Sequence, residues 1–234
     1  QPAERFKALA GLHRQAKSAR GTGRDGLHAF ASPDGIHWRM LGEGAVVRST
    51  AFAFDSQNVS FWSHSEGCYV CYYRSWLFEE EEKIESALRS ISRRTSPDFI
   101  HWSPETRLAP NEEGEHLYTN QTSPYFRAPH IYISLPTRFM PDRGASTDIL
   151  FMSSRPSQRG PLFDRTFRGA FIRPGPDPAR WGNRSNYAAL PDAATGAGEM
   201  SIYLSSNSVK ERGRRLVLRT DGFAALHAGW EGGE

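Results

Sequence analysis

From Leu27 onward, apolar and polar positions alternate in short bursts separated by turn residues. Leu27-His28-Ala29-Phe30-Ala31, Trp38-Arg39-Met40-Leu41 and Cys68 to Arg74 all read with a period of two, the signature of half-buried strands. Ser90 to Thr95, Tyr125 to Phe139, Asp148 to Arg155, Phe167 to Arg173, Glu199 to Leu204 and Arg215 to Arg219 extend the same rhythm and predict further strands. Only the first segment departs from it. Phe6, Leu9, Leu12 and Ala16 fall at helical spacing and predict a short amphipathic helix over Glu4 to Ala19, broken at Gly21 to Gly26.

The strands are punctuated by a repeat. Ser32-Pro33-Asp34-Gly35-Ile36-His37-Trp38 and Ser96-Pro97-Asp98-Phe99-Ile100-His101-Trp102 stand 64 residues apart, each after a predicted strand. Proline fixes φ, aspartate bonds the backbone just ahead, and glycine accepts positive φ, so the unit is a turn for mechanical reasons. Asp177-Pro178-Ala179-Arg180-Trp181 reads as a degenerate third copy. One supersecondary unit copied at this interval predicts a propeller or solenoid. Strand, hairpin, strand and turn with tryptophan is the plan of a four-stranded propeller blade. Trp38 and Trp102 are then blade-packing residues, and mid-strand Trp62 reads as core.

Composition agrees with this plan. The 234 residues suffice for one large domain, and 15 prolines with 21 glycines suit many short strands better than a helical bundle. The formal charge is only +3, with arginine clusters at 89–94 and 212–215 and acidic Glu79 to Glu82 among them. This mixture reads as solvated loops, and no nucleic-acid partner is expected. No run of eighteen apolar residues exists, so no membrane span is expected. Cys68 and Cys71 have C-x-x-C spacing but lie on a strand, where residues three apart face opposite ways, so they read as structural. No metal site is expected from the histidines, and Gly21 to Gly26 lacks the preceding strand that a phosphate loop requires. A chain opening on Gln1 with no signal peptide reads as a fragment or processed product. Secretion or a periplasmic location is compatible with it, and the oligomeric state is not legible.

The repeated Ser-Pro-Asp-x-x-His-Trp turns, with acids opening strands, resemble the five-bladed β-propeller glycosidases. Those include the arabinanase/xylosidase, invertase-like and neoagarooligosaccharide-hydrolase families. Phe54-Asp55-Ser56-Gln57-Asn58, Tyr118-Thr119-Asn120-Gln121, Ala128-Pro129-His130-Ile131-Tyr132, Phe163-Asp164-Arg165 and Glu199-Met200-Ser201-Ile202-Tyr203 more closely resemble a bacterial group of glycosyl-hydrolase-like proteins. Members of that group often carry a β-sandwich after the propeller. The resemblance implies an all-β, five-bladed propeller, incomplete in this chain if strands lie beyond it. The expected domains are a helix and linker over 1–26, the propeller over 27–228, and a tail over 229–234 leading toward a sandwich.

Glycoside hydrolysis needs one protonated and one ionised carboxyl across the scissile bond. The resemblance makes Asp55 the base or nucleophile and Glu199 the acid, with Asp164 as a third carboxylate beside Arg165 and Asp148 as a weaker candidate. The bland alternatives are a turn-capping Asp55, a solvated Glu199 and an Asp164 paired to Arg165 or Arg168. Asn58, Asn120, Gln121, His130 and Arg155 are candidate hydrogen-bonding groups for sugar. Tyr118, Trp76, Tyr125 and, against its stronger reading as core, Trp62 are candidate stacking faces. The expected partner is a carbohydrate substrate. No cofactor is required by such chemistry, and a structural cation in the axial channel is compatible with it. The alternative function is a non-catalytic carbohydrate-binding propeller.

Overall fold

The computed structural model describes residues 2–11, 26–49, 53–54, 56–78, 86–165, 168–182, 184–205 and 213–223. The first sheet holds β1 (Phe6–Gly11), β2 (Gly26–Ser32), β3 (Arg39–Leu41) and β4 (Val47–Arg48), in the order β1-β2-β3 with β4 also on β2. The second is the meander β5 (Val59–Ser63), β6 (Cys68–Leu77), β7 (Leu88–Ser96) and β8 (Thr106–Arg107). Next come β9 (His116–Thr119), β10 (Thr122–Tyr125), β11 (Ala128–Ser134), β12 (Thr137–Met140), β13 (Ser146–Ile149), β14 (Met152–Ser154) and β15 (Phe163–Asp164). These make two sheets, β13-β12-β9 and β10-β11-β14-β15. The fifth sheet is β16 (Tyr187–Gly196), β17 (Glu199–Ser205) and β18 (Arg214–Arg219).

The fold is thus the all-β propeller that the repeat predicted, in five sheets, all pairings antiparallel. The third and fourth sheets continue one another. Thr119 pairs with Thr137 and Thr122 with Ser134, while Ile149 pairs with Thr137 and Met152 with Ser134. Each long strand therefore breaks at the same level, around Asn120-Gln121, Leu135-Pro136 and Leu150-Phe151. Leu135 N–H donates to Gln121 O at 2.9 Å and Leu150 N–H to Pro136 O at 2.9 Å, which carries the ladder across the break.

Apolar clusters lie between successive sheets, as radial stacking requires. Leu27, Val47, Cys71 and Tyr73 join the first to the second. Val70, Tyr72, Ile91, Leu117, Tyr132 and Leu150 join the second to the long-stranded pair. Leu135, Ile149, Ala188, Ile202 and Leu204 join that pair to the last. The two cysteines fall in different clusters, Cys71 in the first and Cys68 against the second, because they point to opposite faces of β6. Burial pushes the Cys71 thiol up to about 12, so it is inert at neutral pH.

Both heptapeptides form one turn. Asp34 Oδ1 accepts from Ile36 N and His37 N at 2.8 Å each, and Trp38 Nε1 donates to Gly35 O at 3.0 Å. Asp98 Oδ1 accepts from Ile100 N and His101 N at 2.9 and 2.8 Å, and Trp102 Nε1 donates to Phe99 O at 3.1 Å. The paired histidines hold both aspartates well below the usual carboxylate range. Gly35 takes φ +79° freely, whereas Phe99 sits at φ +74°. That strain is tolerated because the Phe99 ring is buried against Tyr69 and Trp102, with centroids at 4.9 and 5.6 Å. A left-handed non-glycine costs about 1–2 kcal/mol, comparable to what burying such a ring returns. Trp102 is half-buried as expected, but Trp38 is 44% exposed and closes its own turn rather than packing a blade.

Aligning the turns equates β1 with β6, since Phe6 faces Ser32 as Tyr69 faces Ser96. No described strand in the first sheet then corresponds to β5. This also corrects the predicted N-terminal helix: Phe6 to Gly11 is strand β1, and only Pro2–Glu4 is a short 3-10 turn. Six ladder pairings to β2 outweigh a helical stagger of few apolar residues. The propeller therefore begins before residue 27. Residues 12–25, with the rest of that helix and the Gly21–Asp25 loop, lie outside the described residues. Two further expectations fail locally. Residues 168–173 are irregular apart from one bridge between Ile149 and Ile172, and Trp62 is 40% exposed rather than core. The third turn is also different. Asp177 caps Ala179 N at 3.0 Å, but Trp181 Nε1 reaches back to Gly175 O at 2.8 Å.

Candidate functional site

Antiparallel order brings the starts of β5, β7, β9 and β16 and the end of β6 to one rim. The segment before β5 is fastened there on both sides. Ser56 Oγ donates to Tyr118 O at 3.0 Å, and Gln57 Nε2 donates to Ala188 O at 2.9 Å. Asn58 Nδ2 donates to Phe54 O and Ser56 O at 3.2 and 2.9 Å, so it shapes this approach. Asp55 lies between Phe54 and Ser56 in the chain and is outside the described residues.

Beside this approach stands a stack of arginines and aromatic rings. The Arg89 guanidinium lies 4.9 Å from the Trp76 ring, 4.9 Å from Tyr118 and 5.2 Å from Phe139. Arg74 lies 5.1 Å from Trp76 and 5.4 Å from Tyr118. Tyr118 also meets Phe139 and Tyr187 edge-on, at 5.5 and 6.0 Å. Such contacts hold a planar cation in one orientation. Burial raises the Tyr187 hydroxyl to about 12, aided by Tyr118 and opposed by Arg184, Arg89 and Arg74. His116 Nδ1 accepts from Arg89 N at 3.3 Å. Burial first, then Arg89, holds His116 below the usual histidine value, so it is neutral at pH 7.

Two buried carboxylates of this rim are in ion pairs. Arg165 grips Glu115 with both terminal nitrogens, at 2.6 and 3.1 Å, and Arg138 grips Asp148 at 3.0 and 2.8 Å. Arg165 therefore serves Glu115 rather than its neighbour Asp164.

The predicted site residues divide by place. Tyr118 and Asn58 belong to this rim, and buried Asn120 and Gln121 sit at the strand break next to it. Thr122 Oγ1 donates to Asn120 Oδ1 at 3.3 Å, while Asn120 Nδ2 is buried with no hydrogen-bond partner among the described residues. Asp164 and Arg155 share a separate 490 Å³ cavity at the outer strand β15. His130 and Glu199 lie toward the opposite rim. Glu199 opens β17, the middle strand of its sheet, and not the strand nearest the β5 approach. It accepts from Thr195 Oγ1 at 3.0 Å and pairs with Arg215. Leu204, opposite Ala188, is five residues from Glu199, about 16 Å of strand. Tyr125 is buried at that same far rim, bonded to Asp221, and Trp76 is 4% exposed, so neither offers an open stacking face. Sequence reasoning missed Arg74, Arg89, Phe139 and Tyr187. Arg74 could have been found as a cation within an otherwise apolar alternation.

Among the described residues, no cluster of three or more metal-ligating side chains occurs, and no helix is long and apolar enough to cross a membrane. No family model matches the sequence, and no curated protein matches it either. Solved structures do. A β-1,2-mannobiose phosphorylase from Listeria innocua, in complex with β-1,2-mannobiose, is similar at TM-score 0.62 and 11% identity, over 85% of this chain and 52% of that one. A glycoside hydrolase is similar at 0.58 and 12%, over 90% and 60%. An N-acetylgalactosamine deacetylase from F. plautii, in complex with blood group B trisaccharide, is similar at 0.50 and 14%, over 79% and 56%. What is shared is the fold. The chain spans about half to three fifths of the length of these structures. Phosphorylase, hydrolase and deacetylase all stand on it, so the reaction must be argued from the site.

Proposed function

We propose that this chain belongs to a glycoside hydrolase that cleaves an oligo- or polysaccharide at the rim where β5, β9 and β16 begin. Asp55 is the carboxylate of that site, and Tyr118 orients the sugar, backed by the buried Arg74 and by Arg89. The observation that carries this reading is the double fastening of the Asp55 approach, by Ser56 to β9 and by Gln57 to β16, beside the arginine–aromatic stack. In this reading Asp55 acts as base or nucleophile while a second, protonated carboxyl serves the leaving group. The carbohydrate-bound neighbours support a saccharide as the ligand class. The test is release of reducing ends from a panel of furanosides and uronic-acid-containing oligosaccharides, comparing the chain with Asp55→Asn. An Asp55→Asn variant that keeps full turnover on a confirmed substrate defeats the assignment.

A second reading, a carbohydrate-binding propeller without turnover, is favoured by one observation. Glu199, the expected acid, is tied to Arg215 at the opposite rim. Tyr118-dependent oligosaccharide binding with no bond cleavage across pH 4 to 9 (roughly the range in which carboxyl and histidine groups exchange protons) selects that reading.

A further inference from the structure

A cavity of 650 Å³ opens on the same rim, between the β12–β13 hairpin, the 169–175 segment and Trp181. Its volume falls within the range of small-ligand sites. Its walls are fixed by backbone. Arg184 N donates to Ala145 O at 2.8 Å, and a Cβ on Gly182 would meet Gly144 O at 2.9 Å, so the Trp181 segment sits hard against the hairpin turn. The Trp181 indole is pinned by its Nε1 to Gly175 O at 2.8 Å, yet remains 53% exposed. An indole held at its nitrogen edge and more than half exposed offers a stacking surface for the C–H face of a sugar ring.

The charges on this cavity are unequal. Arg138, Arg143 and Arg173 line it with one carboxylate, Asp148. Arg138 is taken up by Asp148 and lies 3.8 Å from Glu115, so its charge is matched inside the wall. Arg143 donates to the Met140 sulfur at 3.5 Å, Arg173 is exposed, and neither makes an ion pair among the described residues. Two guanidinium groups thus line the cavity without an ion pair to any described carboxylate, beside an exposed indole.

We propose that this cavity is a subsite for a sugar unit carrying an anionic group, a uronate carboxylate or a sulfate ester, with the ring on Trp181 and the anion between Arg143 and Arg173. It rests on the carbohydrate reading above and narrows the substrate to acidic glycans. Planar guanidinium matches either oxyanion in a bidentate fashion.

The test is titration calorimetry of the chain with trigalacturonate, its fully methyl-esterified neutral counterpart, and a 6-sulfated galactobiose beside unsulfated galactobiose. At low salt an acidic probe binds about tenfold or more tighter than its neutral counterpart, the margin expected of charge-assisted hydrogen bonds. Salt shrinks that margin. Arg143→Gln and Arg173→Gln each remove most of it, Arg173→Lys restores only part, and Trp181→Ala weakens acidic and neutral probes alike. All three residues are exposed, so these variants fold. Preference for trigalacturonate assigns a carboxylate and preference for the sulfated probe assigns a sulfate, and either supports the subsite. Equal affinity for acidic and neutral probes overturns it, as does an acidic preference that survives in the double arginine variant. If neutral probes bind through Tyr118 without an acidic preference, the carbohydrate reading stands and the subsite falls. If no probe binds, both fall.

Discussion

Two ion pairs of this propeller, one at each rim, carry the same chemistry in opposite settings. At the rim where β9 begins, Glu115 and Arg165 are only 6% and 8% exposed, and the arginine grips both carboxylate oxygens. At the far rim, Glu199 and Arg215 are 39% and 46% exposed. Arg127 and Asp221 repeat that exposed pairing nearby, at 54% and 53%. The buried pair ties the start of β9 to Arg165, just beyond β15, where a lone charge would be costly to leave. The exposed pairs can be lost to water at little cost. The near rim also holds arginines over aromatic faces, and two arginines of its cavity make no ion pair among the described residues. The near rim therefore joins a buried ion pair to arginines stacked on rings, whereas the far rim carries these exposed pairs beside the buried Arg93–Glu66 pair of the β5–β6 hairpin. The acid expected to complete catalysis, Glu199, lies on the far rim.

The largest effect that would test this contrast is chemical. On any substrate that the chain turns over, Asp55→Asn should reduce turnover ~100-fold or more, the range of lost general acid–base or nucleophilic help. Glu199→Gln should leave turnover within about threefold, because an exposed pair about 16 Å along the strand from the Ala188 contact carries no part of the reaction. Equal losses in the two variants would break the division between rims.

Stability gives the next test. Glu115→Gln leaves Arg165 buried without its carboxylate, and urea unfolding should register a loss of ~3 kcal/mol or more. Glu199→Gln, measured the same way, should cost under about 1 kcal/mol. Matching costs would show that burial does not separate the pairs. A smaller effect concerns Tyr118, whose replacement by alanine should weaken oligosaccharide binding about tenfold by calorimetry, as for one lost stacking face.

The smallest test is pH. His116 has its folded pKa depressed below the ordinary 6.5, so the unfolded chain binds its proton first. Its contribution to stability is complete above 6.5 and declines as pH falls toward the depressed value. Removing it by His116→Asn should flatten the stability profile just below 6.5 while leaving the profile near neutral pH unchanged. A profile as steep in the variant would place the titration elsewhere.

Much of the fold was legible because its causes are local. Most of the period-two runs became strands, often within two or three residues of their predicted bounds, the 168–173 segment excepted, and the Ser-Pro-Asp heptapeptides became matching turns, because each bonds mainly to itself. The predicted helix failed where the cause was not local, since Phe6 to Gly11 takes its conformation from β2. Asn58 and Tyr118 were legible as polar or aromatic residues flanking strands. Arg74 and Arg89 were not, because nothing in sequence spacing shows that β6 and β7 lay their ends beside Tyr118. Trp181 was read as another blade turn, yet its bond to Gly175 and its place in the cavity depend on a hairpin some forty residues earlier.

What the sequence determined by itself is the all-β plan: alternation sets strand faces, and proline, aspartate and glycine set turns, each through interactions a few residues long. Tertiary structure alone decided which charges are buried, which rim each acid occupies, and where unmatched arginines meet an open indole. Those outcomes depend on desolvation and on distances between sheets, and both exist only once the strands have been stacked.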